Sequence, residues 1–124
     1  MSHDLAKFGV NTIRILSLGL TELAYGGQSF SHDCVEGFLR CSTCGKGCYC
    51  TLEFSKSGRE MSCGKYQIYV EDEGVSCYEP REMTLKDLRE VYDSIWRYHS
   101  YNSTEDNCKA YARDLYYYLK SRYP

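Results

Sequence analysis

Pro80 splits the sequence into two regimes of hydrophobic spacing, and that split limits the folds open to the chain. After it, Leu85, Leu88, Val91, Tyr92, Ile95 and His99 follow a helical period, with Trp96 on the flank. Thr84 stands just ahead with Asp87 three residues on, the spacing of a capping box, so a helix is expected over residues 84–99. A second helix follows a short loop. Cys108, Tyr111, Ala112, Leu115, Tyr116 and Leu119 recur at i, i+3, i+4, i+7, i+8 and i+11, which is one helical face. Its cap is expected from Ser103 with Asp106, or from Thr104 with Asn107.

Before Pro80 the spacing is that of strands. Residues 11–20 carry Ile13, Ile15 and Leu16 at their heart, and Gly26-Gly27 then breaks the chain. Residues 29–40 lead from that loop into a second strand. Residues 41–48 hold three cysteines and two glycines and read as a turn. In residues 49–54, Cys50, Leu52 and Phe54 share one face, and Tyr49, Thr51 and Glu53 share the other, which is expected to be solvated. Ser55-Lys-Ser-Gly58 is a tight hairpin turn that returns through residues 59–63. Residues 66–70, and a short piece at 75–78, complete the set of expected strands. Strands first and helices last imply an α+β fold: an antiparallel sheet from the N-terminal two-thirds packed against two C-terminal helices. With 124 residues, no internal repeat and no low-complexity linker, a single domain over 1–124 is expected.

The first residue of the last helical face is a thiol. A helix N-terminus presents unpaired N–H groups and the positive end of the helix dipole, both of which favour thiolate over thiol. Cys108 is therefore a candidate nucleophile, or else a small core residue of the kind buried cysteines often are. A nucleophile needs a base within reach. Of the three histidines, His3 lies at the terminus and His99 ends the preceding helix, whereas His32 enters a strand, a rigid place from which to aim an imidazole. Glu53, on the neighbouring strand, is the candidate to orient that ring. Asp33 points to the opposite face if both residues are in the strand.

The order of these parts, His32 on an early strand and Cys108 opening a C-terminal helix, reverses that of ordinary papain-like enzymes. It resembles the circularly permuted papain-like group, the lecithin retinol acyltransferase-like families and the PPPDE-type peptidases. The resemblance rests on residues 106–112, Asp-Asn-Cys-Lys-Ala-Tyr-Ala, on the helix and Tyr101-Asn102 that lead into them, and on Ser31-His32 upstream. It implies Cys108 as nucleophile, His32 as general base and Asn107 as a brace of the helix start. Cys34 and Glu36 interrupt the apolar run that usually follows the group's histidine. The implied activity is a thiol hydrolase or acyltransferase acting on a peptide, isopeptide or acyl-ester bond, with no cofactor in the chemistry. The alternative is a non-catalytic interaction module on the same scaffold, stabilised by zinc.

Composition narrows the partners. A net charge of −2 argues against a broad nucleic-acid surface; the resemblance implies a protein or an acyl-bearing molecule as the substrate. No apolar run has the length of a membrane span, and residues 1–7 do not read as a secretory signal. The run Tyr116-Tyr117-Tyr118, part of a set of 13 tyrosines, is read as packing rather than as a platform for bases. There are eight cysteines, and if Cys108 stays free the remaining seven cannot all pair. Asn102-Ser-Thr104 is a formal glycosylation acceptor that would crowd the site. Both points lean toward a reducing cytosol, with secretion left open. Cys41, Cys44, Cys48 and Cys50 have the spacing of a structural zinc site, with a glycine after the first pair as in a zinc knuckle; reduced thiols or one disulfide are the competing uses.

Overall fold

The computed structural model describes residues 5–20, 30–55, 57–64, 76–98 and 107–124. After a short 3-10 turn at Leu5–Lys7 come strands β1 (Phe8–Leu20), β2 (Phe30–Cys41), β3 (Gly47–Ser55), β4 (Gly58–Cys63) and β5 (Cys77–Tyr78), then helices α1 (Leu85–Ser94) and α2 (Asn107–Arg122). The fold is α+β. The strands form one 5-stranded sheet in the order β4-β3-β2-β1-β5, and every pair is antiparallel.

The turns follow from local chemistry. At the β3–β4 hairpin, Ser55 pairs with Gly58, and Gly58 has φ +91°, a conformation that costs a side chain but not a glycine. At the β2–β3 turn, the Gly45 N–H reaches the Cys41 carbonyl and the Cys41 N–H reaches the Lys46 carbonyl, both at 2.9 Å. Gly47 opens β3 against the Phe38 ring, where a Cβ would lie 2.5 Å from Cζ. A bulge between Val10 and Thr12 shifts the register of β1 against β2.

The core lies between the sheet and the helices. Val10, Ile13, Val35, Leu39, Leu52 and Phe54 from the sheet meet Leu88 and Val91 of α1 and Tyr111, Ala112, Leu115, Tyr116 and Leu119 of α2. All six residues of the expected α2 face, Cys108 included, are buried. Burial of each large side chain contributes about 1.5–3 kcal/mol, so that stripe is what holds α2 down on β2 and β3. Tyr116 packs edge-on against Tyr78, while Tyr117 and Tyr118 stay exposed.

Helix α1 starts where the capping box predicts. The Thr84 N–H donates to Asp87 Oδ2 at 3.0 Å, and the Asp87 N–H donates to Thr84 Oγ1 at 3.3 Å. It ends earlier than its periodicity suggests, at Ser94 rather than residue 99. Two interactions account for this. The Arg59 guanidinium of β4 donates to the carbonyls of Tyr92 and Ile95, taking up the orphan acceptors of the last turn. Trp96 then adopts φ +56° and turns its indole into the molecule, 5.4 Å from the Phe54 ring and 5.7 Å from Tyr111. Left-handed backbone costs a bulky residue about 1–2 kcal/mol, and these contacts, with a 3.0 Å bond from Nε1 to Asp114 of α2, offset it. A feature read as the flank of a helix is thus its stop.

The alternation along β3 also needed correction. Residues 50–54 are buried without a break, so Thr51 and Glu53 do not form a solvated face. The expected breaks and strands at residues 26–27 and 66–70, the α2 cap at 103–106, and His3 and His99 all lie outside the described residues.

Candidate active site

Three elements meet at one end of the sheet. Strand β2 carries His32, strand β3 carries Glu53, and α2 begins with Asn107 and Cys108. The register of β2 against β3 pairs Val35 with Leu52, and continuing it by alternation puts His32 and Glu53 on the same face as diagonal neighbours. Their side chains bond: His32 Nε2 lies 3.0 Å from Glu53 Oε1. Glu53 is only 2 % exposed and His32 9 %.

A buried carboxylate is tolerated when a cation or a donor meets it. The same face of the sheet solves that problem twice. Glu36, also 2 % exposed, is met by Arg14 of β1 at 2.6 Å. Glu53 is met by an imidazole, and an imidazole can give up its proton.

The ring that Glu53 holds at Nε2 also meets the thiol. His32 and Cys108 are in hydrogen-bond contact. Burial by itself disfavours the charged ring, but the bonds to Cys108 and Glu53 and the negative charge on both outweigh it, and His32 is raised from 6.5 to about 9. Burial likewise pushes the Cys108 thiol up. The hydrogen bond from His32, the backbone N–H of Asp33 and the imidazolium charge outweigh that in turn, so the thiol sits below its ordinary value. Both shifts run toward a thiolate–imidazolium pair, which is the state a thiol nucleophile requires.

Cys108 is partly accessible within its burial, at 8 % exposure, and Asn107 beside it is equally buried at the first position of the helix. The contribution of Asp33 is not visible in the sequence. Its carboxylate accepts from Ser17 Oγ at 2.9 Å; its main-chain N–H favours the thiolate, while the carboxylate charge opposes it.

The other thiols differ. Cys34 is fully buried, and burial drives its thiol strongly upward, with Glu53 and Glu36 adding to the effect. In the cysteine-rich turn, Cys41 is held below the ordinary thiol value by backbone N–H groups of Cys44 and Thr43 and by the Cys44 side chain. Cys44 and Cys48 are exposed, whereas Cys50 packs into the hydrophobic core and burial raises its thiol to about 12. Among the described residues, no group of three or more His, Cys, Asp or Glu side chains is gathered as a metal site. Among the same residues, no helix is long and apolar enough to cross a membrane. No protein-family model, curated protein or solved structure matches the chain.

Proposed function

We propose that the chain is a thiol-dependent hydrolase or acyltransferase of permuted papain-like type, with Cys108 as nucleophile, His32 as base and acid, and Glu53 as the group that orients the imidazole. One observation carries the reading: a single buried imidazole contacts both a buried carboxylate and the thiol that opens the last helix. The linear order of sheet, base and acid first, with the thiol on the final helix, supports the permuted arrangement.

In this mechanism the Cys108 thiolate attacks a carbonyl carbon and forms the C–S bond. The oxyanion takes hydrogen bonds from N–H groups at the start of α2, which the helix itself leaves unpaired. Collapse of the adduct expels the leaving group, which takes the proton from the His32 imidazolium. An acyl-enzyme remains. Neutral His32 then removes a proton from water, or from another acceptor, as that oxygen attacks the thioester, and Cys108 leaves as thiolate. Glu53 engages Nε2 and so holds the orientation of the ring toward the sulfur. Asn107 braces the helix start. The substrate is a peptide, isopeptide or acyl-ester carbonyl presented by a protein or another acyl-bearing molecule.

Alkylation with iodoacetamide near neutral pH, read by peptide mass mapping, tests the reading. Selective labelling of Cys108 that falls in His32→Ala supports it. Equal labelling of all eight cysteines, or none at Cys108, supports a non-catalytic interaction module instead.

A further inference from the structure

Across the β3–β4 hairpin, Cys50 stands directly opposite Cys63. The next ladder bond runs from the Gly64 N–H to the Tyr49 carbonyl at 3.0 Å, so the two cysteines occupy a non-hydrogen-bonded pair, the closer of the two kinds. Such pairs bring Cα atoms to about 4.5 Å, and a disulfide spans Cα separations of about 4.4–6.8 Å. Cys48 shares the face of Cys50 but is diagonal to Cys63, a relation of about 7–8 Å that a disulfide does not bridge without moving the backbone. Cys63 is exposed and Cys50 is buried beside it.

We infer that Cys50 and Cys63 are a reversible cross-strand disulfide site, closed by a small-molecule disulfide such as oxidised glutathione. The exposed Cys63 thiolate attacks one sulfur of the oxidant and releases the first glutathione thiolate, leaving a mixed disulfide on Cys63. Cys50 then loses its proton to solvent, and its thiolate attacks the Cys63 sulfur and expels the second glutathione thiolate. Two protein thiols are oxidised and one small disulfide is reduced. Because Cys50 is buried and Cys63 exposed, the second step is the slower one. The bond closes the loop between residues 50 and 63 and ties β4 to the strand that carries Glu53.

The test uses the whole chain, incubated with oxidised glutathione and digested with trypsin without reduction. Cleavage after Arg40, Lys46, Lys56, Arg59 and Lys65 puts Cys41 with Cys44, Cys48 with Cys50, and Cys63 alone in separate peptides. The expected product joins the peptide over 47–56 to that over 60–65, and fragmentation on either side of Tyr49 places the bond on Cys50. The melting midpoint rises by roughly 10 °C over the reduced chain, and the exposed-site variant Cys63→Ser loses that rise. A glutathione adduct on Cys63 that never closes, or a bond from Cys63 to Cys48 or to any other cysteine, overturns the inference. So does zinc in the purified reduced chain that Cys50→Ser releases, because Cys50 would then be a ligand with Cys41, Cys44 and Cys48.

Discussion

Strands β2 and β3 carry cysteines or their partners at both ends, and the two ends differ in what surrounds the sulfur. At one end Cys108 sits at a helix start against His32, which Glu53 also holds, and the other thiol there, Cys34, is sealed by burial. At the other end Cys41, Cys44, Cys48, Cys50 and Cys63 crowd a turn and a hairpin, with no histidine within the described residues there. Number does not make a thiol reactive. The crowded end has mutual proximity, which suits pairing between sulfurs. The sparse end has an imidazole, a carboxylate and a helix terminus, the set that the proposed attack on a carbonyl needs.

The sharpest way to break this comparison is to remove each sulfur in turn. Cys108→Ala is expected to abolish turnover of an activated thioester or peptidyl substrate, while Cys44→Ala and Cys48→Ala leave the rate unchanged. Loss of activity in the turn variants would merge the two ends into one site. Next in size, His32→Ala is expected to slow alkylation of Cys108 at neutral pH by about 100-fold or more, with the cysteines of the turn unaffected. Glu53→Gln keeps the shape of the side chain but removes the negative charge and one acceptor. A drop of about tenfold or more in turnover is expected, together with a His32 titration that moves below about 9, readable by NMR of the ring protons.

The pH dependence sharpens the same contrast. His32 has a folded value of about 9 against an ordinary 6.5, so its protonated form is favoured by folding. That contribution to stability is complete below about pH 6.5 and is lost as pH rises through about 9. The lowered Cys108 works in the opposite sense, its contribution present above the ordinary thiol range and lost as pH falls through the depressed folded value. A bell-shaped rate profile is expected, with its alkaline limb near 9 and its acid limb below the ordinary thiol range. An alkaline limb near 6.5 would mean that His32 is not part of the pair.

The smallest effects belong to the scaffold that both ends share. Thr84→Ala removes the α1 cap and is expected to cost about 1 kcal/mol in denaturant unfolding without changing Cys108 labelling. Tyr111→Phe is expected to be neutral within about 1 kcal/mol, because the buried Tyr111 hydroxyl has no hydrogen-bond partner among the described residues. A strong loss of labelling in either variant would show that thiol reactivity only reports overall stability.

Much of this was legible in the chain itself because it is local. The period of Cys108 to Leu119 decides which side of α2 is buried, since residues three and four apart share a helix face whatever lies beneath. Thr84 with Asp87 decides where α1 starts, and a glycine at position 58 suits the turn that closes β3 on β4, because each acts on its own backbone. The candidates Cys108, His32 and Glu53 came from the same kind of reading, applied to residue type and position in the elements. Only the tertiary structure decided that Glu53 is buried and bonded to His32, that Arg59 and Trp96 stop α1 at Ser94, and that Cys50 faces Cys63. Those facts depend on register and on packing between distant segments. An alternating strand looks the same in sequence whether its polar face meets water or a buried partner, and the free energy that separates the two cases resides in the partner.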